Sequence, residues 1–581
     1  MQIKFVVLIT SFFLYFTLFQ FPISASTNYT EGLVIKSKPS TTKTKRLRLT
    51  DTLADKAWKG VSGKNVLKID LGEERKFNTV RFRVKEDTTF AEVKIKAGTS
   101  TDNKVQIYLG NNKSALANDW IALKMPKTVA RYVNLTLKNS RPKIFELEVY
   151  CTQKDFNGDG YEDVIVGASN HDSSGVDRGE IYIYLGGQTL SATPDFTLSG
   201  DEDFAYFGNS VSSAGDVNND GFDDIIVGAN LHDADIINSD RGRAYIYLGG
   251  QILNTTPNFT LSGDEDFAYF GNSVSSAGDV NNDGFDDVII GASGHNAGGA
   301  NKGRAYVYLG GTTINSLPIE FSGDEDFASF GNAVSGAGDI NNDGFDDVII
   351  GASDHNAGGT DRGQAYIYLG GTTLNSSPAF TRSGDENSAL FGYSVSGAGD
   401  VNKDGFDDVI VGAYLHNAGG TDRGQAYIYL GGSSLSLLPN LVLNGDENFA
   451  SFGVSVSGAG DVNKDGFDDV IVGASNHTAG GISRGRAYIY LGESTLITGT
   501  PAVTFNGNLN SANLGNAVSG AGDINKDGFD DVIVGAYLHD GSGTGRGQAY
   551  VYLGGSSFIS NTASATFSGD ENNALLGISV N

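Results

Sequence analysis

The sequence predicts an all-β protein: a seven-bladed β-propeller following a smaller strand-rich N-terminal domain. Three observations predict it. A nine-residue acidic loop recurs seven times, starting at Asp155, Asp216, Asp279, Asp339, Asp400, Asp461 and Asp523, at spacings of 60 to 63 residues. Around each loop the chain reads as four short strands joined by Gly-rich connections. The strand expected before the first loop is missing there and stands at the far end of the chain instead.

The repeat comes first. In residues 207–263, Phe207-Gly208 opens a strand that runs to about Ala214, and the acidic loop follows at Asp216. Asp224 to Ala229 is an apolar, β-branched strand, Arg243 to Leu248 alternates as a third, and a fourth begins at Phe259. One four-stranded blade cannot bury both of its faces, whereas blades stacked around an axis can.

Loops two to seven each follow an opening strand, at Phe207, Phe270, Phe330, Phe391, Phe452 and Leu514. Glu146 to Tyr150 precedes the first loop instead, and the missing strand appears at 576–580, from Leu576 to Val580. The end of the chain therefore completes the first blade and removes an exposed edge. An open solenoid or a truncated longer array is the competing architecture.

Charge marks a domain boundary. Residues 27–153 hold 25 Lys+Arg against 13 Asp+Glu, while residues 154–581 hold 15 against 56, within a formal net charge of −28. The expected segments are a signal peptide at 1–26, a flexible Ser/Thr/Lys leader at 27–44, a strand-rich domain at 45–152, and the propeller at 153–581.

The signal reading rests on Lys4, the apolar run Phe5 to Phe21 and the small residues Ser24, Ala25 and Ser26. An uncleaved anchor is its alternative. With no second apolar run of that length, the mature chain is expected to be secreted or held at the cell surface, with no transmembrane span. A single cysteine, Cys151, allows no internal disulfide and is either a buried thiol or a crosslink to another chain. Sequons at Asn28, Asn112, Asn134, Asn254, Asn258, Asn375 and Asn476 fit surface loops of a glycoprotein.

All seven loops follow the pattern Asp-x-Asn-x-Asp-Gly-aromatic-acid-Asp. The candidate metal ligands are side-chain oxygens at positions 1, 3, 5 and 9 and a backbone carbonyl at position 7. They are Asp155, Asn157, Asp159, Tyr161 and Asp163 in the first loop, and Asp216, Asn218, Asp220, Phe222 and Asp224 in the second. Asp279, Asn281, Asp283, Phe285 and Asp287 form the third set, and Asp339, Asn341, Asp343, Phe345 and Asp347 the fourth. Asp400, Asn402, Asp404, Phe406 and Asp408 follow, then Asp461, Asn463, Asp465, Phe467 and Asp469, and finally Asp523, Asn525, Asp527, Phe529 and Asp531.

These are hard oxygen donors, which suit Ca²⁺ and not zinc or copper. About seven Ca²⁺ ions are expected, one per blade. The glycine at position 6 lets the chain turn sharply, and the aromatic at position 7 is expected to point inward and pack the blade. An EF-hand would need a Glu at position 12 and flanking helices. Position 12 is instead Val166, Val227, Ile290, Ile350, Val411, Val472 or Val534, each inside an apolar strand. The ions are expected to be structural.

Hairpin parity places the acidic loops on one face of the disc. The other face receives a Ser-Gly-Asp-Glu element, as at Asp201-Glu202 and Asp264-Glu265, and every histidine: His171, His232, His295, His355, His416, His477 and His539. Repeat-equivalent points on neighbouring blades lie too far apart for one zinc ion to gather. Each imidazole is therefore expected to cap its own Gly-rich loop. The Asp-Glu pairs read as solvated loop or as part of a binding rim. The irregular stretches Asp233 to Asn238 and Asn506 to Asn510 are the best rim candidates.

Phe-Gly followed by Gly-Ala around the acidic loop, as in Phe270-Gly271 with Gly291-Ala292, resembles the FG-GAP repeat of integrin α-subunit propellers. The resemblance covers residues 154–581. Every blade carries a metal loop here, whereas only some would be expected to in an integrin, and the later β-sandwich domains and membrane span of integrins are lacking. Within 45–152, Asp51 to Trp58, Val66 to Gly72, Arg131 to Leu137 and Phe145 to Tyr150 resemble a discoidin (factor 5/8 C-type, galactose-binding-like) domain, which implies a jelly-roll β-sandwich.

Together the resemblances imply a secreted, calcium-binding adhesion or recognition protein without catalysis. Its expected ligands are extracellular proteins or glycans, not nucleic acid. The basic N-terminal domain either binds anionic polysaccharide or lipid headgroups, or docks on its own acidic propeller. The alternatives are a polysaccharide lyase or hydrolase and a structural surface-layer component. Against an enzyme, the acids are repeat-equivalent, and catalytic residues should break the repeat.

Overall fold

The computed structural model describes residues 154–581 except 174, 234–238, 434, 437, 495–498, 542 and 557–559; of residues 1–153 it describes the strand segments. The predicted signal cleavage region, the leader apart from Val34–Lys36, and Cys151 lie outside the described residues. The chain divides into two compact units, Met1–Thr152 and Gln153–Asn581. Among the described residues, no helix is long and apolar enough to cross a membrane.

The first unit is a nine-stranded network. Its path runs Gln2–Phe5, Arg46–Leu49, Lys143–Tyr150, Lys64–Val84, Trp120–Lys138, Thr88–Gly98 and Val105–Ala115. Val34–Lys36 pairs with Lys64–Val84, and Trp58–Lys59 with Lys143–Tyr150. The pairings join these strands into one connected network.

The second unit is a seven-bladed propeller. Blade 2 is representative, with the antiparallel order Ser210–Gly215, Asp224–Ala229, Arg243–Tyr247 and Phe259–Ser262. The register of its inner strand slips between Ser213 and Gly215, immediately before the acidic loop. The same bulge recurs before the loops of blades 3 to 7. It turns the chain out of the ladder at the point where the loop begins.

Blade 1 has three strands of its own, Val164–Ala168, Glu180–Tyr184 and Phe196–Ser199. The end of the chain supplies its inner edge, as the sequence predicts. Gly167 N–H donates to Ser579 O at 2.9 Å, Gly577 N–H to Gly167 O at 2.8 Å, and Asn581 N–H to Ile165 O at 3.0 Å.

The core lies between blades. Ile165, Ile181 and Leu198 of blade 1 pack with Phe207, Ile225 and Val227. At the seam, Val164, Val166 and Tyr184 pack with Ile533, Phe567, Leu576 and Val580. The Phe of each Phe-Gly is fully buried, for example Phe330 and Phe391 at 0 %. Its Gly is required: a Cβ on Gly271, at φ 85°, would lie 2.4 Å from Arg243 O.

Candidate metal centre and the opposite face

Each acidic loop is shaped by its own side chains. In blade 2, Asp216 Oδ1 accepts from Asp220 N and Oδ2 from Gly221 N, at 3.0 and 2.9 Å. Asn218 Oδ1 also accepts from Asp220 N at 2.9 Å, and Asp220 Oδ1 from Phe222 N at 3.0 Å. Asp224, at position 9, is fully buried and clasps two backbone segments. Its Oδ2 takes Val217 N and its Oδ1 takes Gly249 N, both at 2.8 Å. The pattern recurs in blade 3, with Asp287 on Val280 N and Gly310 N, and in every other blade.

This gathers carboxylates that resist ionising together. Burial, opposed by its backbone hydrogen bonds and reinforced by Asp279 and Asp283, pushes Asp287 up to about 8. The same causes push Asp408 to about 8 and Asp347 to about 7. Burial also drives Asp163, Asp224, Asp469 and Asp531 well above the usual carboxylate range, with the other loop acids adding to it.

A divalent cation would relieve both effects, and the donors are all hard oxygen, so the residues fit calcium chemically. Among the described residues, no group of three or more His, Cys, Asp or Glu side chains is already arranged to hold a metal. In the present arrangement the loop oxygens are engaged with their own backbone amides.

One expectation about the loops is corrected. The position 7 aromatics do not enter the core; Tyr161, Phe222, Phe285, Phe345, Phe406, Phe467 and Phe529 are all half-buried. They lie on the loop face, where the position 4 residue of the preceding blade meets several of them. Position 2 packs the interior instead, with Phe156 and Val280 at 0 % and Val217, Ile340 and Val462 at 1 % exposure.

The acid at position 8, which the sequence reading left without a role, ties the blades together. Asp155 N donates to Asp223 Oδ2 at 3.0 Å, Asp216 N to Asp286 at 2.9 Å, and Asp279 N to Asp346 at 2.9 Å. Asp339, Asp400 and Asp461 repeat this with Asp407, Asp468 and Asp530. Asp523 N closes the circle on Glu162 at 2.5 Å. The glycine before each of loops two to seven makes room: a Cβ on Gly215 would lie 2.4 Å from Asp286 Oδ2. Lys154 stands at that position in blade 1. Its ammonium, held down to about 8 by burial against the opposing pull of Glu162, donates to Gly520 O across the seam at 2.6 Å.

On the other face the histidines cap their loops as expected. His295 Nδ1 accepts from Ala297 N, and His477 Nδ1 from Ala479 N, both at 2.8 Å. Each Nε2 then meets the Asp-Glu pair of the linker before it: Asp264 and Glu265 stand 3.3 and 3.0 Å from His295. Tyr306 Oη also donates to Asp264 at 2.7 Å. The hydrogen bond from His295 holds Asp264 far below the usual carboxylate range against the opposing effect of burial, with Tyr306 assisting. Blade 7 is the exception its sequence announces: His539 meets Asn508 at 2.9 Å.

The same linkers hold a feature that sequence reasoning missed. Phe204, Phe267, Phe327 and Phe449 are exposed at 55, 53, 63 and 60 %. Their φ values are 64, 61, 63 and 62°, a left-handed backbone that bulky side chains avoid. Tyr393 breaks the repeat at positions where neighbours carry Asn272 and Asn332, and its ring centroid lies 4.4 Å from that of Tyr414. The departure from Asn was a readable signal; the strain on the phenylalanines was not.

Comparison with known proteins agrees with the fold. The FG-GAP repeat model matches residues 270–308, 330–368, 391–429, 452–490 and 514–552, and an FG-GAP-like repeat model matches 155–227. The chain is 33 % identical to integrin α-5 of Xenopus laevis over 244 residues, covering 40 % of this chain and 22 % of that one. It is 35 % identical to integrin α-V of Gallus gallus over 223 residues, covering 36 and 20 %. The matches thus span about a fifth of the length of these relatives.

Among solved structures, a Ruminococcus gnavus GH29 fucosidase in complex with fucose aligns at TM-score 0.15 and 19 % identity, over 17 % of this chain and 21 % of that one. The CBM32 of AlyQ in complex with 4,5-unsaturated mannuronic acid aligns at 0.16 and 18 %, over 18 and 84 %. Likeness this slight bears on neither fold nor activity. The chain carries FG-GAP repeats in a seven-bladed propeller and has integrin α chains as homologues.

Proposed function

We propose that this propeller is the recognition module of a calcium-binding extracellular adhesion protein, that calcium fastens one face of the disc, and that the opposite face binds an extracellular protein ligand without catalysis. The integrin α homologues point to adhesion or recognition. The observation that carries the assignment of faces is the set of exposed phenylalanines. A bulky residue held at positive φ costs on the order of 1–2 kcal/mol, and here it repeats on four linkers with its ring in solvent. Exposed aromatic side chains surrounded by charge are the usual composition of protein-binding surfaces. The Asp-Glu pairs engaged with histidines form a rigid acidic frame around them.

The seven loops supply the fastening. When bound, Ca²⁺ would be held by the position 1, 3, 5 and 9 side chains and the position 7 carbonyl, and would neutralise carboxylates that otherwise repel. The test is adhesion of the full chain to a panel of immobilised extracellular matrix proteins and glycans, with Ca²⁺ or EDTA. Saturable binding to a protein ligand, lost in Phe267→Ser and Phe327→Ser variants that melt normally, supports the reading. Binding that is unaffected by those substitutions removes the assignment of the face.

A further inference from the structure

Position 4 of most acidic loops is a junction residue that stands against the loop of the next blade. Between blades 1 and 2 it is Gly158, and Phe222 fills the space: a Cβ there would lie 2.4 Å from the ring. At the next three junctions it is Asn219, Asn282 and Asn342. The amide nitrogen of Asn219 lies beside Gly284, the sixth residue of the next loop. At the last three it is lysine. Lys403 Nζ stands 5.0 Å from the centroid of Phe467, and Lys464 4.9 Å from Phe529. Lys526 stands 3.7 Å from Tyr161 and donates to Asp159 O at 3.0 Å, within the first loop itself.

We infer that Lys403, Lys464 and Lys526 divide the seven loops into two affinity classes for Ca²⁺, with the loops of blades 6, 7 and 1 the weaker. The inference rests on the calcium reading above. Each ammonium is drawn over the aromatic ring at position 7, the residue whose carbonyl is a candidate ligand, and is held there by attraction to the ring face. A fixed positive charge beside a loop that must accept a divalent cation repels that cation and partly neutralises the carboxylates that attract it. The asparagines at the equivalent junctions carry no charge.

The three charged junctions are consecutive and include the seam where the end of the chain completes blade 1. Falling calcium therefore empties the loops around the closure first, and the tightly held ions stay in blades 2 to 5. A unit charge at this range corresponds to an affinity difference on the order of tenfold per loop.

Equilibrium dialysis of the full chain against radiolabelled Ca²⁺ tests this. The expected isotherm is biphasic, with four tight and three weak ions. The variant Lys403→Asn/Lys464→Asn/Lys526→Asn should give one class of seven, and it places at each junction a residue the same loop accepts elsewhere. The reverse variant Asn219→Lys/Asn282→Lys/Asn342→Lys should leave one tight ion and six weak ones. Seven equivalent ions in the unmodified chain, or an isotherm unmoved by either variant, overturn the division while leaving the calcium reading intact. Absence of bound calcium in the unmodified chain overturns the calcium reading itself and the inference with it.

Discussion

Without metal, the stability of the protein should fall as pH rises, the reverse of the usual behaviour of folded-state carboxylates. Asp287 is pushed to about 8 from an ordinary 3.8, and Asp347 to about 7. At about 1.4 kcal/mol per pH unit, keeping either ionised in the metal-free fold costs on the order of 4–6 kcal/mol. Two such loops already rival the roughly 5–15 kcal/mol by which typical domains are stable.

The folded-state value lies above the unfolded one. The contribution of each group is therefore complete below pH 4 or so and is lost as pH rises through about 7 to 8. On the calcium reading, bound Ca²⁺ would reverse the trend, because its binding would release those protons and tighten as they leave. Thermal melts followed by circular dichroism at pH 6 and pH 9, each in EDTA and in excess Ca²⁺, measure both arms. The expected result is a melting temperature that drops markedly from pH 6 to pH 9 in EDTA and holds or rises in calcium. A melt in EDTA that is flat with pH, or equal to that in calcium, would refute the reasoning that buried, mutually repelling carboxylates govern these loops.

Asp286→Ala should remove the acceptor for Asp216 N and cost roughly 1–3 kcal/mol, read by chemical denaturation in saturating calcium. Deleting residues 576–581 should expose the edge of blade 1 and abolish a single cooperative melt, with aggregation visible by gel filtration. Phe267→Gly should leave the melting temperature unchanged or raise stability by up to about 1 kcal/mol, since it relieves a left-handed backbone, while weakening ligand adhesion. Glu162→Ala should loosen the seam and make the chain measurably more sensitive to proteolysis than Asp286→Ala does.

Much of the propeller was legible because its signals are local and repeated. Seven loops gave seven blades, and the displaced strand at Leu576–Val580 gave the closure that Gly167, Ile165 and their partners display. Parity put the histidines beside the Asp-Glu linkers, where His295 meets Glu265. What escaped were properties of pairs from different blades. An acid at position 8 looks like one more member of an acidic loop, yet Asp286 belongs energetically to Asp216, 70 residues away. An aromatic at position 7 looks like core, yet position 2 has the inward register. Left-handed backbone at Phe204 and Phe267 follows from linker geometry that no residue preference announces. In the N-terminal unit, the strand-rich character was legible, while the pairing order that links the strands was not.

The acids at position 8 also bear on how such a disc would carry load. Each one grips the first amide of the preceding blade's loop, and the seventh, Glu162, grips the first amide of the last. The links form an unbroken hoop around the loop face. A pull applied to one blade from the opposite face is passed sideways as tension in this hoop, shared among seven short bonds loaded in parallel with the packed core. The hoop closes where the C-terminal strand completes blade 1, and there glutamate replaces aspartate.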